Sequence, residues 1–404
     1  DEKTLPPEAE GITIQKGNLV NLKNFCIEIL KKCRVDRRGA PLSIEAIRGR
    51  LSPSCGGEDD LPREIKFSGK IFSEQTRPLL LGSVEILKDL KRANVRGCAG
   101  SGKTFIAQTL ARKFAKSGKS VLLACYNRAL ASKLKEAAEN VDGLEAVAFL
   151  DFCCNLSNLS KEEIDRYQSD PRTWPFAIPK MAQSRIEKYG IGYGAVIVDE
   201  GQDFSEEMWK AVQMLVSDGG SLHVFYDTDQ KIYEWAGEIP QCENNVSLSR
   251  NLRNAKKIFE KIKPMMSFEN AEIPNAAPEG RNVEEYFIPC EKARLEKLCG
   301  VLEGLKKQGV KGKDIVILGA RSLKNTCLKN CSECGGYKIA ENYAGNDSGV
   351  VSYMTYMKFK GCESPAVVLL DVDKSDMARW PKNALYTAMS RAQSLLIILH
   401  STQK

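Results

Sequence analysis

The sequence predicts an α/β protein with two doubly wound sheets of parallel strands. Short apolar runs of the buried-strand type alternate with stretches of helical periodicity in both halves of the chain. A glycine-rich loop leads into a helix, and one apolar run ends on two carboxylates, at the position where open α/β sheets bind ligands. The predicted strands are Ser120–Cys125, Gly143–Phe149, Ala195–Val198 and Ser221–Tyr226 in the first half, and Ile315–Leu318, Gly349–Tyr353, Ala366–Leu370 and Leu395–Leu399 in the second.

The elements in chain order divide the sequence into three regions. They are a mostly helical N-terminal region at 1–70, a first α/β domain at 71–245 with a small helical insertion at about 151–190, and a second α/β domain at 246–404. The first region has amphipathic helices at Leu19–Cys33 and Ser43–Leu51 and no catalytic pattern, as expected for the tail of an upstream domain. Pro171 and Pro175 interrupt the insertion, and Pro240 interrupts the pattern near the boundary between the two domains.

The composition limits the class of protein without fixing its partner. A formal net charge of +7 permits a polyanionic partner but does not require one. No apolar run is long enough to span a membrane and no signal peptide is visible, so no membrane partner is expected. The 14 cysteines are scattered unlike a secreted disulfide framework, which favours the reducing cytoplasm. The chain begins at Asp1 rather than at methionine, as expected of a fragment of a longer protein.

The loop Gly97–Thr104 has the chemistry of a nucleoside triphosphate site. It matches the pattern G-x-x-x-x-G-K-[ST] at every required position. Its glycines let the backbone turn N–H groups toward an anion, and the helix that follows adds a partial positive charge. Lys103 is expected to contact the β- and γ-phosphates of ATP, and the Thr104 hydroxyl to bind Mg²⁺. The predicted nucleotide contacts in the loop are Gly97, Gly100, Ser101, Gly102, Lys103 and Thr104.

Two adjacent carboxylates follow the strand Ala195–Val198. Asp199 is expected to hold Mg²⁺, directly or through water, because carboxylate oxygens are ligands that this ion prefers. Glu200 is expected to act as the general base toward the attacking water. A strand that ends on acidic residues is common in proteins, so this assignment depends on the phosphate-binding loop upstream.

Six motifs follow one another along the chain. They are Phe72–Gln75, Asp199–Asp203, Asp227–Tyr233, Leu248–Arg253, Thr355–Glu363 and Tyr386–Ala392. Their order resembles that of superfamily 1 helicases of the UvrD/Rep type, and most closely the helicase half of proteins with an upstream nuclease-related (NERD) domain. The resemblance covers roughly residues 71–400. It implies two RecA-like P-loop NTPase domains that hydrolyse ATP in the cleft between them.

The resemblance also implies roles for individual residues. Gln75 would hydrogen-bond the adenine edge, which suits the paired donor and acceptor of an amide. Gln230 would sense the γ-phosphate, while Arg253 and Arg391 would reach the triphosphate from the second domain. Aromatic side chains at strand ends could stack on bases. The remaining candidates are Gly361 and Glu363 near the nucleotide, and Tyr126, Asn127, Tyr233, Trp235 and Thr355 near the nucleic-acid strand.

The chain departs from the family pattern at several positions. Met357 stands where many relatives have histidine, and Leu252 replaces a common tyrosine. Cys362 replaces the usual leucine, and Gly201 a common alanine or tyrosine. The chain also lacks room for the large second accessory domain of UvrD, so the insertion at about 151–190 would be a reduced first accessory domain.

These inferences predict an ATP-dependent helicase or translocase on single-stranded or partly duplex nucleic acid, expected to be DNA. Two alternatives stay open: an ATP-dependent switch or scaffold that binds a protein partner without unwinding, and an RNA-directed motor. A nuclease domain upstream is a further possible partner. Cys327, Cys331 and Cys334 have the spacing of metal ligands, and Cys290 or Cys299 could complete a set. A zinc site usually needs a clear fourth ligand, so these cysteines are interpreted as incidental.

Overall fold

The computed structural model describes residues 61–62, 80–170, 173–275, 277–342 and 347–402, all within one compact unit, Leu61–Lys404. The two helices predicted before residue 52 and the adenine-reading Gln75 lie outside the described residues. In the described part of the chain, no helix is both long enough and apolar enough to cross a membrane.

Six parallel strands form the first sheet. They are β1 (Arg92–Gly97), β2 (Val121–Cys125), β3 (Leu144–Ala148), β4 (Tyr193–Asp199), β5 (Val216–Tyr226) and β6 (Asn244–Leu248). Their order across the sheet is β3-β2-β4-β5-β1-β6. All the neighbouring pairs are parallel, so β4, β5 and β1 end side by side at one edge. That edge is where an open α/β sheet binds its ligand.

Helices cover both faces of this sheet. They are α1 (Lys103–Lys116), α2 (Arg128–Ala138), α3 (Phe149–Leu156), α4 (Lys161–Gln168), α5 (Trp174–Tyr189) and α6 (Glu206–Met214), and residues 80–88 are also helical. Helices α1 and α2 bury their apolar sides on one face, while α3, α5 and α6 pack on the other. Helices α3 to α5 lie where the helical insertion is predicted. Pro175 does not break α5 because it lies in the first turn, where no intrahelical N–H bond is lost.

A second sheet of seven strands follows in the chain. Its strands are β7 (Glu284–Phe287), β8 (Ile315–Gly319), β9 (Glu333–Cys334), β10 (Tyr337–Glu341), β11 (Val350–Thr355), β12 (Ser364–Val372) and β13 (Ala392–His400). The helices of this part of the chain are α7 (Lys256–Ile262), α8 (Glu291–Lys307), α9 (Tyr356–Phe359) and α10 (Lys382–Met389). The order of the strands is β7-β13-β12-β8-β11-β10-β9, and among the described residues only β9 and β10 pair antiparallel. The predicted α/β fold with two sheets is therefore confirmed; the first sheet is parallel as predicted, whereas the second is mixed because β9 pairs antiparallel with β10.

Strands that contain polar residues are poorly predicted from apolar runs in the sequence. Strand β1 lies between β5 and β6 although Asn94 is in its middle. The Asn94 amide donates to the carbonyl of Pro240 at 2.9 Å, and the Asn244 amide of β6 donates to the carbonyl of Arg92 at 2.9 Å. These hydrogen bonds satisfy the amide nitrogens of Asn94 and Asn244, whereas the Asn94 side-chain oxygen has no partner among the described residues. Such bonds between side chains and backbone let polar residues lie within the sheet, so the strands do not need an apolar sequence. The apolar pattern did not predict β6, β7, β9 or β10.

Two of the cysteines form a pair that the sequence did not indicate. A disulfide joins Cys299 of α8 to Cys334 of β9, which lie 35 residues apart in the chain. Cys327 and Cys331 are free thiols near the same apolar core. Among the described residues, no group of three or more His, Cys, Asp or Glu side chains could hold a metal ion.

Candidate functional site

The loop Gly97–Thr104 connects the end of β1 to the start of α1. Gly100 and Gly102 have left-handed backbone conformations, with φ of 72° and 86°, which glycine adopts without strain. A Cβ atom on Gly100 would lie 2.7 Å from the Cβ atom of Arg253, so the loop is in close contact with the segment after β6. The Lys103 ammonium donates to two carbonyls of the loop, at 2.9 and 3.0 Å. It therefore lies inside the curve of the loop, where a phosphate would bind.

Asp199 lies at the end of β4 with its carboxylate fully buried. One carboxylate oxygen accepts the N–H of Glu200 at 3.1 Å, and Thr104 forms a side-chain hydrogen bond with the same group. The other oxygen, Oδ2, has no hydrogen-bond partner among the described residues. Burial, together with the charge of Glu200, raises the pKa of Asp199 to about 7. An unsatisfied carboxylate oxygen beside a hydroxyl is a donor set that fits Mg²⁺.

Glu200 follows Asp199 in a left-handed conformation, with φ 56° and ψ 43°. The Gln202 amide donates to its carboxylate at 2.5 Å. Burial alone would raise the pKa of Glu200, but the positive charges of Lys360, Lys103 and Arg391 hold it below its ordinary value. The carboxylate is therefore ionised at neutral pH and able to accept a proton.

A buried chain of hydrogen bonds joins the two halves of the site. Arg391, at the turn between α10 and β13, donates to the Gln230 side-chain oxygen at 2.7 Å. The Gln230 amide donates in turn to Asp227 at the end of β5, also at 2.7 Å. Burial, with the nearby charge of Arg253, lowers the pKa of Arg391 to about 10. The guanidinium remains charged, because this pKa is still well above neutral pH.

The second arginine is held by a carboxylate from the second half. Arg253 Nε lies 2.5 Å from an oxygen of Glu363, and the Gln393 amide donates to the other oxygen at 2.9 Å. The Asn251 side chain accepts the Arg253 N–H at 3.1 Å, which fixes the backbone that carries the arginine. Sequence reasoning placed Arg253 and Glu363 near the nucleotide, and the structure brings the two into contact.

A cavity of about 490 Å³ lies between these groups. Its size is in the range of about 300–1,000 Å³ that is usual for small-molecule sites. The sequence-predicted residues that line it are Gly100, Ser101, Gly102, Lys103, Thr104, Glu200, Gln230, Arg253, Gly361, Glu363 and Arg391. Gly97 and Asp199 do not line it; Asp199 lies behind, in contact with Thr104. Candidate nucleotide-binding residues that are distant in the sequence thus line the same cavity.

Sequence reasoning missed the residues that hold the loop against the second half. The Tyr386 hydroxyl accepts the N–H of Ala99 at 2.8 Å and donates to Asp227 at 3.3 Å. The Asn251 amide donates to the carbonyl of Ala99 at 3.0 Å and to Asn254 at 2.7 Å. All three side chains are buried polar groups. Their position inside the motifs Leu248–Arg253 and Tyr386–Ala392, or next to them, was the signal that could have identified them.

Three aromatic side chains lie together beyond β2 and β5. We call Tyr126, Tyr233 and Trp235 the aromatic cluster. The rings of Tyr233 and Trp235 are stacked with centroids 4.6 Å apart, and Tyr126 lies 5.0 Å from Tyr233. All three residues are half-buried, and the indole nitrogen of Trp235 is buried without a hydrogen-bond partner among the described residues. The structure thus brings together three of the five predicted nucleic-acid contacts.

The other two candidates, Asn127 and Thr355, are helix caps. The Asn127 oxygen accepts two N–H groups at the start of α2, at 2.8 and 3.2 Å. Its amide donates across the cleft to the carbonyls of Met357 and Lys358, at 3.1 and 3.3 Å. The Thr355 hydroxyl accepts the N–H of Lys358 at 3.3 Å and begins α9. Both side chains therefore fix the start of a helix, and Asn127 directly follows Tyr126 of the aromatic cluster.

Family models match two regions of the chain. A model described as an AAA domain matches residues 84–236, which include the phosphate-binding loop, Glu200 and the aromatic cluster. A model described as a UvrD-like helicase C-terminal domain matches residues 351–399, which include Gly361, Glu363 and Arg391.

Curated relatives match over part of their length. A probable DNA helicase II homolog of Mycoplasma capricolum subsp. capricolum is 26% identical over 163 residues, which are 37% of this chain and 23% of that protein. The ATP-dependent DNA helicase PcrA of Staphylococcus aureus is 25% identical over 165 residues, which are 36% of this chain and 22% of PcrA. The matches therefore span less than a quarter of these relatives. The solved structure of Arterivirus nonstructural protein 10, a helicase, aligns with 76% of this chain and 59% of that chain, with 17% identity and a TM-score of 0.36.

Proposed function

We propose that this chain is a UvrD-like superfamily 1 helicase that hydrolyses ATP between its two sheets and uses the reaction to move along single-stranded DNA. The observation that carries the proposal is the single cavity lined by the phosphate-binding loop, Glu200 and Gln230 from one half, and by Arg253 and Arg391 after β6. Phosphoryl transfer depends mostly on positioning and charge neutralisation, and this arrangement supplies both.

The phosphate side of the reaction is assigned to the first half. The loop N–H groups and Lys103 bind the triphosphate. Thr104 and Asp199 would hold Mg²⁺, which neutralises charge on the β- and γ-phosphate oxygens when it is bound. Glu200 accepts the proton of the attacking water, and its hydrogen bond from Gln202 fixes the carboxylate for that task.

The second half supplies positive charge. Arg391 reaches the cavity while it is hydrogen-bonded to Gln230, so its position depends on the approach of the two halves. Arg253 approaches from the other side, held by Glu363. A triphosphate that contacts both arginines favours the closed arrangement, and loss of the γ-phosphate removes part of that preference. Hydrolysis would thereby change the distance between the two halves, as translocation requires.

The strand is proposed to lie over the aromatic cluster and the loop at Thr355. Aromatic faces stack on bases of any sequence, which suits a motor that must pass along the whole strand. DNA is preferred to RNA because the two curated relatives above are named as DNA helicases. We also propose Gln75 as the adenine contact, and residues 71–245 and 246–404 as the two moving domains. This boundary falls inside β6 (Asn244–Leu248), which pairs with β1, so all of β6 moves with the first domain.

Rates of ATP hydrolysis with and without oligodeoxynucleotide test this function. We expect single-stranded DNA to stimulate hydrolysis more than RNA does, and Lys103→Ala to abolish it. Lys307→Met, on an exposed face of α8, is the matched control and should leave the rate unchanged. A wild-type rate that neither nucleic acid stimulates would contradict the proposal. Stimulated hydrolysis without strand displacement would favour a translocase or switch over a helicase.

The setting of this activity is a further part of the proposal. We propose a cytoplasmic protein that acts beside a nuclease-related domain or protein partner, as the motif resemblance implies. Sequencing the complete transcript, followed by affinity purification of the tagged full-length product, tests this part. A transcript without a nuclease region, together with a purified product that carries no nuclease partner, would contradict it.

A further inference from the structure

Lys360 lies between the nucleotide cavity and the aromatic cluster. It follows the short helix α9, and its side chain is 1% exposed. The segment around it belongs to the second half of the chain, but the ammonium group extends into the first half. Burial of an unpaired ammonium is costly, so its partners define what the residue does.

Each contact of the Lys360 ammonium is with the first half. It lies 2.5 Å from a carboxylate oxygen of Asp203, which is also 1% exposed. It donates to the backbone carbonyl of Gln230 at 2.6 Å. It also lies 5.7 Å from the ring centroid of Tyr233, within the range of a cation–π interaction. The Lys360 ammonium therefore contacts three places: the turn that follows Glu200, the aromatic cluster, and Gln230, whose side chain accepts a hydrogen bond from Arg391.

The chain on either side of Lys360 reaches both sites. Met357, three residues before it, is exposed beside Asn127 at the border of the aromatic cluster. Gly361, the next residue, lines the nucleotide cavity, and a Cβ atom there would lie 2.9 Å from Leu130 of α2. Displacement of this short segment by a bound strand would therefore move Lys360 relative to Asp203 and the Gln230 carbonyl.

Stability alone is a weak reason for this ion pair. Buried ion pairs can often be replaced by apolar residues without loss of stability, because desolvation offsets the attraction. Asp203 also keeps one carboxylate oxygen, Oδ2, without a hydrogen-bond partner among the described residues. If the ion pair only stabilised the fold, we would expect a hydrogen-bond donor to the Oδ2 atom of Asp203 as well.

We propose that Lys360 is the positioning residue that couples nucleic-acid binding at the aromatic cluster to ATP hydrolysis in the cavity. It acts through Asp203 and the Gln230 carbonyl, and it does not touch the reacting phosphate. The inference rests on the proposed function, because coupling requires that a strand stimulates hydrolysis. Its signature is a change in the ratio of stimulated to basal hydrolysis, which a purely structural residue would not alter selectively.

The test compares four variants of the full chain: Lys360→Met, Lys360→Arg, the double variant Lys360→Met with Asp203→Leu, and the control Lys307→Met. For each, hydrolysis is measured with and without saturating oligothymidylate, and the affinity for a fluorescent ATP analogue is measured separately. We expect Lys360→Met to lower the stimulation ratio at least about five-fold, the lower end of ordinary coupling between sites. ATP-analogue affinity should stay close to wild type, and Lys360→Arg should recover part of the ratio.

The double variant separates coupling from folding, because it leaves no unpaired buried charge. We expect it to fold and to lack stimulation, as Lys360→Met does. A wild-type ratio in Lys360→Met or in the double variant would overturn the proposal. Unfolding of the double variant would also overturn the proposal, since it would show that the Lys360–Asp203 ion pair is required for the stability of the fold. Absence of stimulation in the wild-type chain would instead refute the proposed function, so the two failures are distinguishable.

Discussion

At the residue scale, Glu200 combines an unusual backbone with a fixed side chain. Its left-handed conformation, with φ 56° and ψ 43°, costs a non-glycine residue about 1–3 kcal/mol. The surrounding hydrogen bonds hold it there, because Gln202 donates to the carboxylate and accepts the N–H of Asp227 at 3.0 Å. The conformation turns the carboxylate toward the cavity, while Asp199 stays behind it. Two adjacent carboxylates thereby acquire different environments and can take different roles.

Substitution Glu200→Gln tests the base assignment. The amide keeps the shape of the side chain but cannot accept the proton from water. Because a positioned base contributes roughly 10²–10⁴-fold, we expect turnover to fall at least about 100-fold. ATP affinity should be retained, since the phosphate-binding groups are unchanged. Single-turnover hydrolysis and equilibrium binding measure the two effects, and near-normal hydrolysis in this variant would refute the assignment.

Substitution Asp199→Asn tests whether this carboxylate is kept for function at a cost in stability. Its pKa is raised from 3.8 to about 7 in the folded chain. The ionised group therefore destabilises the fold, a cost that is absent below the unfolded pKa and complete above the folded one. In magnesium-free buffer we expect the variant to melt at least about 2 °C higher than wild type near pH 8, a shift equivalent to about 1 kcal/mol.

The same variant should melt like wild type near about pH 4, where the native carboxyl is already protonated. Asp218→Asn, at an exposed position of β5, is the matched control for the replacement of a carboxylate by an amide. A variant of Asp199 that is less stable at both pH values would contradict this interpretation.

Site residues could be predicted from local chemistry alone only within the phosphate-binding loop and at the end of β4, whereas Gln230, Arg253 and Arg391 were assigned through the order of the motifs. Lys103 and Thr104 act within one loop, so their spacing alone indicates a phosphate and a metal ion. Tyr386 and Lys360 act on partners more than 150 residues away, Asp227 and Asp203 respectively. No local pattern encodes which group lies across a cleft, so their contacts required the structure.

At the element scale, burial decided which strands could be predicted. Strand β4 is apolar over most of its length and was located from its sequence. Strand β6, at the edge of the first sheet, alternates between half-buried and exposed residues and carries asparagines, so it has no apolar run. Hydrogen bonds between side chains and backbone stabilise such strands, and an apolar pattern does not detect them.

Asn127 tests how helix α2 is fixed at the cleft. Its oxygen caps the helix, while its amide reaches the carbonyls of Met357 and Lys358. Asn127→Ala removes both interactions, whereas Asn127→Ser keeps a good cap and loses only the bridge. Because a lost cap costs typically about 1 kcal/mol, we expect the alanine variant to be less stable than the serine variant by roughly that amount. Urea unfolding measures the difference, and equal stabilities would show that the cap contributes nothing.

At the scale of the whole molecule, two sheets share one binding site. The first sheet brings the phosphate-binding loop and Glu200 to its edge, and the second brings Arg391 and Glu363. The region that matches the AAA domain and the region that matches the UvrD-like C-terminal domain each contribute residues to the lining of this cavity. If the cavity binds ATP as proposed, each half carries an incomplete site, and nucleotide binding would depend on how closely the halves approach.

This arrangement predicts that nucleotide protects both halves from amide hydrogen exchange. At about 100 times its dissociation constant, a non-hydrolysable ATP analogue stabilises the bound state by about 2.7 kcal/mol, or roughly 100-fold in exchange rate. We expect slower exchange in α1 and also in α10. Tyr386 of α10 is hydrogen-bonded to the phosphate-binding loop, and Arg391, in the turn after α10, is hydrogen-bonded to Gln230. Arg391→Ala should keep the added protection of α1 and lose that of α10. Protection confined to α1 in the wild-type chain would mean that nucleotide binds to the first half alone and does not draw the second half toward it.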